Sequence, residues 1–184
     1  TQHGAESAPP LAVASASGAL LTLEDGRELI DAISSWWAIL HGHGREELID
    51  AMESQARKLD HVLFAGATHE PAVRLAERLC EITPAGLTRV FYSDDGSTAV
   101  EVALKMAYQR WVQRGEPNRR VFVALDGAYH GDTFGSMSVS DPDPFFAAYT
   151  PLLFEVRRCA PDSEALATLL DELGNKAAGV IVEP

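Results

Sequence analysis

Cysteine is scarce in this chain: Cys80 and Cys159 are its only two among 184 residues. They form no C-x-x-C pair, which excludes a dithiol redox motif and a cysteine-built zinc site. Two reduced, partly buried thiols are expected, as in a cytoplasmic protein. Long apolar runs are also missing, and none spans a bilayer. Residues 1–16 lack the basic and then apolar order of a secretory signal. Positive charge is short, with 15 Lys and Arg against 27 Asp and Glu and a formal net charge of -12. That balance disfavours nucleic acid and anionic membranes as partners. It leaves room for a small anion site built from backbone dipoles. His41 and His43 have no third ligand nearby, so no metal site is expected.

Present instead is an alternation of helical and strand patterns, with 46% apolar residues overall. Residues 1–17, rich in Ala, Ser and Pro, predict a coil or extended arm. A β-hairpin is predicted over 19–31, with Asp25-Gly26 in a type I′ turn. Helices are predicted over 45–60 and after Thr68 or His69, with Pro71 in the first turn. The second of these turns Ala72, Leu75, Ala76 and Leu79 inward. Residues 88–92 read as a buried strand and 99–114 as a helix with Val100, Ala103, Leu104, Ala107 and Trp111 on its inner face. The continuous apolar run 121–125 predicts a parallel strand covered on both faces. Residues 138–149 read as a loop through Asp141-Pro142-Asp143-Pro144. A strand over 152–156, a helix over 162–173 and a strand over 178–182 complete the pattern. Such alternation means a parallel α/β sheet, in which ligands bind beyond the C-terminal strand ends.

Three stretches carry candidate chemistry. Asp95-Gly96-Ser97-Thr98 lies between strand and helix. Gly96 permits a tight turn, and free N–H groups at a helix start attract a phosphate. The same residues also suit an ordinary capped turn. Ser97 and Thr98 are the expected caps. Tyr129-His130-Gly131-Asp132 falls at the end of the next strand, on the same sheet edge. Trp36 and Trp37 are adjacent; in a strand they would face opposite sides, so one would line a pocket or contact, or simply lie on the surface. The chain stops after a buried strand, and an unfinished sheet, hence a fragment, is expected.

Four motifs in order carry a family resemblance: Ser34-Ser35-Trp36-Trp37, Asp95-Gly96-Ser97-Thr98-Ala99-Val100-Glu101, Ala128-Tyr129-His130-Gly131-Asp132-Thr133 and Val182-Glu183-Pro184. Together they resemble the class III aminotransferases, pyridoxal-5′-phosphate (PLP) enzymes of fold type I. The Trp pair and the Tyr-His-Gly-Asp-Thr loop look most like the members that convert 8-amino-7-oxononanoate to 7,8-diaminononanoate in biotin synthesis, with S-adenosylmethionine as amino donor. The resemblance implies a mostly parallel large-domain sheet with flanking helices. Residues 1–60 would belong to the small domain and 61–184 to the first part of the PLP-binding large domain, incomplete at Pro184. It implies that Gly96 and Ser97 hold the cofactor phosphate and that Tyr129 stacks on the pyridine ring. Trp36, Trp37, Tyr129 and Asp132 would meet substrate, and the aromatic wall would attract a sulfonium donor. A cytoplasmic homodimer with its active site near the interface is implied. Where many members carry His-Pro after His43-Gly44, this chain has Arg45-Glu46. The Schiff-base lysine is expected beyond Pro184, because Lys58, Lys105 and Lys176 are not placed to reach the ring. The chain alone is therefore expected to be inactive. The alternatives are a class III aminotransferase acting on a diamine or ω-amino acid, and a non-catalytic phosphate-binding α/β domain.

Overall fold

The computed structural model describes residues 9–143 and 145–184. The arm expected over residues 1–8 and Pro144 of the expected turn lie outside the described residues. The chain divides into two compact units, Thr1–Ile82 and Thr83–Pro184. The division falls after the helix that ends at Ile82.

The first unit opens with an antiparallel sheet of β1 (Val13–Ser17), β2 (Leu20–Leu23) and β3 (Glu28–Ile30), in that order. The end of the expected coil is thus a strand, because β2 offers it a full ladder from Val13↔Leu23 to Ser17↔Leu20. The β2–β3 connection is not a type I′ turn. Only Gly26 has positive φ, at 85°, while Asp25 does not. Leu23 N–H donates to Arg27 O at 2.8 Å across a three-residue loop, which needs one left-handed residue rather than two. Ser34–Trp37 forms a single hydrogen-bonded turn, α1, described below. Helices α2 (Glu46–Lys58) and α3 (Glu70–Ile82) follow. His69 caps α3, its Nδ1 accepting from Ala72 N–H at 3.3 Å. Of the four residues expected inward on α3, Ala72 is buried whereas Leu75 is 51% exposed.

The second unit is a parallel sheet in the order β5-β4-β6, with β4 at Val121–Leu125, β5 at Val156–Cys159 and β6 at Ala177–Val180. The apolar run of β4 is explained by its two covered faces. Phe122 and Ala124 pack with Leu104, Val139 and Ala178. Val123 packs on the opposite side with Leu169 and Leu173. Helix α4 (Gly96–Gln113) thus supplies one face and α6 (Ser163–Leu173) the other. Burying each such Leu or Phe contributes about 1.5–3 kcal/mol. The predicted stripe of α4 holds at Val100, Leu104, Ala107 and Trp111, and Trp111 Nε1–H also donates to Ala178 O at 2.6 Å. Ala103 faces out.

Three expectations fail here. Residues 88–92 form no strand: no ladder partner runs beside them among the described residues, and Phe91 is 68% exposed. The expected 138–149 loop instead follows a short buried helix, α5 (Phe134–Val139), and gives way to a 3-10 turn at Ala147–Leu152. Serines disfavour helix interiors because their hydroxyls compete for backbone groups. Here they bond within the helix: Ser138 Oγ donates to Phe134 O at 2.7 Å and Ser140 Oγ to Ser136 O at 2.8 Å. The strand expected at 152–156 starts at Val156, where pairing with Phe122 begins. No helix among the described residues is long and apolar enough to cross a membrane.

Candidate active site

Helix α4 begins with a capping box. Asp95, not Ser97 or Thr98, is the N-cap: its Oδ1 accepts from Thr98 N–H at 2.7 Å, and its own N–H donates to Thr98 Oγ1 at 3.0 Å. The reciprocal bonds satisfy two orphan groups of the helix start. They leave the Gly96 and Ser97 N–H groups without a partner among the described residues. Gly96 is exposed, so the positive end of the helix dipole is open to an anion.

Freed from capping, the Ser97 hydroxyl bonds elsewhere. It accepts from Thr133 N–H at 2.9 Å and donates to Thr133 Oγ1 at 3.1 Å. Ser136 Oγ donates to Ser97 O at 2.9 Å, and Gly135 N–H donates to Glu101 Oε1 at 2.6 Å. The starts of α4 and α5 are therefore stitched together. Gly131 makes this approach possible: its φ is 123°, and a Cβ there would fall on the Ser97 side chain.

The loop after β4 carries the other predicted residues. Tyr129 N–H donates to Glu183 Oε2 at 2.8 Å, and its hydroxyl donates to Asp132 Oδ1 at 2.9 Å. Its ring stacks on Phe146, with centroids 6.0 Å apart and planes at 19°, and remains 38% exposed. Burial, and then Asp132, push the Tyr129 hydroxyl pKa up. His130 N–H donates to Ser140 Oγ at 2.8 Å. Burial lowers the His130 pKa against the opposing pull of Glu183, and its Nε2 is buried without a partner among the described residues. At the base of the loop, Asp141 Oδ2 accepts from Gly127 N–H at 2.8 Å. That bond, and then the Asp143 N–H, lower the Asp141 pKa.

The second unit thus brings Gly96, Ser97, Tyr129 and Asp132 to the C-terminal edge of its sheet, where β4 and β6 end. Glu183 and Phe146 join them. Sequence reasoning left Glu183 without a role and passed over Phe146, since neither lies in a motif that names its partner. Asp95 was recoverable from the spacing Asp-x-x-Thr alone. Lys105 lies on α4, nine residues beyond Gly96 and so about 13 Å along the axis. Lys176 precedes β6, at the opposite end of the strand from Glu183.

In the first unit, Trp36 and Trp37 are not in a strand. Ser34, Ser35, Trp36 and Trp37 all have positive φ, between 47° and 64°. Four consecutive side chains in left-handed backbone cost roughly 1–2 kcal/mol each. The indoles are 5.8 Å apart at 54°, and each Trp is 67% exposed. Asp31 faces this turn: Oδ1 accepts from Ser35 N–H at 2.9 Å, and Oδ2 accepts from Ser35 Oγ at 2.7 Å and from His43 Nε2–H at 2.8 Å. The Ser35 N–H, then the His43 bond, hold the Asp31 pKa down to about 2.

The class III aminotransferase family matches residues 2–184. The chain belongs to that family. It is 51% identical to the adenosylmethionine-8-amino-7-oxononanoate aminotransferase of Synechococcus elongatus, over 95% of this chain and 44% of that protein. The crystal structure of the enzyme so named from Methanocaldococcus jannaschii is 39% identical, with TM-score 0.88 over 94% of this chain and 41% of its own. An amine transaminase from an uncultivated Pseudomonas species, solved in its PLP-bound form, is 29% identical with TM-score 0.83, over 98% of this chain and 47% of its own. The chain spans less than half the length of each. Its α/β fold is that of PLP-dependent transaminases. As a class III aminotransferase its implied cofactor is PLP, and the residues present fit that group: two N–H groups at an open helix start without partners among the described residues, a glycine whose missing Cβ lets the next loop close on Ser97, and on that loop an aromatic ring that is 38% exposed.

Proposed function

We propose that the protein transfers an amino group from S-adenosylmethionine to 8-amino-7-oxononanoate, giving 7,8-diaminononanoate for biotin. The identity to relatives of that name, 51% in the Synechococcus enzyme, carries this reading. When bound, PLP supplies the carbonyl that takes the amino group and the ring that draws off electrons. Gly96 and Ser97 N–H groups hold its phosphate, helped by the α4 dipole. The Ser97 hydroxyl ties that cradle to the loop of Asp132 and Thr133. Tyr129 offers its ring as a stacking face, and its hydroxyl bond to Asp132 fixes the ring's rotation. Glu183, by holding Tyr129 N–H, sets the height of that face above the sheet edge. Asp132 presents its second carboxylate oxygen to a cationic group of substrate. Trp36 and Trp37 supply an aromatic wall suited to a sulfonium.

The catalytic lysine lies outside residues 1–184 in this reading, since Lys105 and Lys176 stand away from the cradle and Lys58 is an exposed residue at the end of α2. Residues 1–60 belong to the small domain and 61–184 to the large domain of a cytoplasmic homodimer.

The test is an assay of the full-length protein with PLP, 8-amino-7-oxononanoate and S-adenosylmethionine. Formation of diaminononanoate supports the reading. Turnover only with a diamine or ω-amino acid donor would replace it with the broader class III activity. No transamination with any donor would leave a phosphate-binding domain. Sedimentation of the same protein checks the dimer.

A further inference from the structure

We propose that Asp31 is a positioning residue, whose carboxylate holds the Ser34–Trp37 turn left-handed and so sets the direction of the Trp36 and Trp37 rings. Nothing in the turn itself favours this backbone. It contains no glycine or asparagine, the residues that enter the left-handed region most readily. Strain of this kind persists only where the surroundings over-determine it.

The surroundings here are a clamp with two fixed jaws. One is Asp31, whose N–H donates to Ala19 O at 2.9 Å and whose side chain is only 6% exposed. The other is His43, locked to Gly18 by two backbone bonds of 2.9 and 2.8 Å. Gly42 packs against Gly18 so closely that its Cβ would stand 3.3 Å from Gly18 Cα. Ser35 is held against the Asp31 jaw, bound by N–H and hydroxyl to both carboxylate oxygens. The backbone bond matters most: it requires the Ser35 N–H to point back at Asp31. Two main-chain bonds, Trp37 N–H to Ile33 O and Ile39 N–H to Ser34 O, both 2.9 Å, then propagate the turn through the indoles.

A hydroxyl, an imidazole and a carboxylate meet here, yet the group is not a nucleophile site. The carboxylate lies between the other two, and the Ser35 hydroxyl donates its hydrogen bond to Asp31, while His43 Nε2 stands 3.4 Å from it. The acceptor of that hydroxyl is a carboxylate whose pKa is held down to about 2, too weak a base to activate it. The arrangement holds a turn.

The consequence for substrate rests on the proposed role of the Trp pair as a substrate wall. Tilting that wall alters binding without touching the reacting atoms.

The test uses the full-length holoenzyme. The two indoles, 5.8 Å apart and tilted, should give an exciton couplet in circular dichroism that Trp36→Phe abolishes. Asp31→Ala, which removes both acceptors, should at least halve the couplet. Ser35→Ala, which keeps the carboxylate and the backbone bond, should weaken it less. Ser34→Asn, placed in the Asp31→Ala background, should restore it, because asparagine tolerates left-handed backbone. With the couplet lost, KM for the substrate that meets the wall should rise roughly tenfold with kcat little changed, the mark of lost uniform binding. A couplet of full strength in Asp31→Ala overturns the proposal. So does a loss that Ser34→Asn leaves unrepaired, since Asp31 would then stabilise the unit in general. If the couplet follows Asp31 but Trp36→Phe and Trp37→Phe both leave KM unmoved, the positioning role stands and the substrate-wall reading falls.

Discussion

Gly131 and Ser97 approach so closely that a methyl group on Gly131 would occupy the place of the serine hydroxyl. Two loops 34 positions apart meet there, one at the start of α4 and the other beyond β4. Gly131→Ala faces the clash and a φ of 123° together. The backbone term alone costs of order 1–3 kcal/mol. We expect a lower melting temperature and at least tenfold weaker PLP binding in the full-length enzyme, read by thermal unfolding and cofactor titration.

Asp95→Ala removes the N-cap and its reciprocal bond with Thr98. The expected loss is about 1 kcal/mol of stability. Denaturant unfolding measures it. Asp95→Asn, which keeps the acceptor, should recover most of the loss.

Acid should unlock the Trp turn late. The Asp31 pKa is depressed in the folded protein, from 3.8 to about 2. Its contribution to stability is therefore complete above 3.8 and is lost as pH falls towards 2. The Trp exciton couplet followed from about pH 5 downwards should persist until this window. In Asp31→Asn that dependence should vanish.

Reductive trapping of the full-length holoenzyme with borohydride should attach the cofactor to a lysine. Peptide mass mapping should find it on none of Lys58, Lys105 and Lys176. Modification of any of the three would undo the placement of the catalytic lysine. The 184-residue chain by itself should show no transaminase activity.

Much of the second unit was legible because burial on two faces leaves a plain mark. The uninterrupted Val121–Leu125 run and the spacing of Val100, Leu104, Ala107 and Trp111 each have one physical reading. The placing of Tyr129 and Asp132 followed from the rule that parallel strands present ligands at their C-terminal ends, whereas Ser97 follows no strand and joins them through its bonds to Thr133. What escaped was set by tertiary partners. Helix α5 has no apolar period, because nearly all of it is buried and its serines bond to its own carbonyls or to Ser97 O of α4. Residues 88–92 have strand composition, yet pairing needs a neighbour. The left-handed turn runs against every local preference of Ser and Trp, and the Asp31 carboxylate that holds it, four residues before Ser35 and twelve before His43, belongs to no sequence pattern.

The Ser97 hydroxyl is shared between its own helix start and the Thr133 loop. A ligand seated on that helix start therefore gains affinity only when the second loop is in place, and it fixes that loop in return. Cofactor occupancy and local order become one linked equilibrium. In a cell short of cofactor, the enzyme's susceptibility to proteases should rise along with its loss of activity, so that supply of the vitamin governs how much of the protein survives as well as how fast it works.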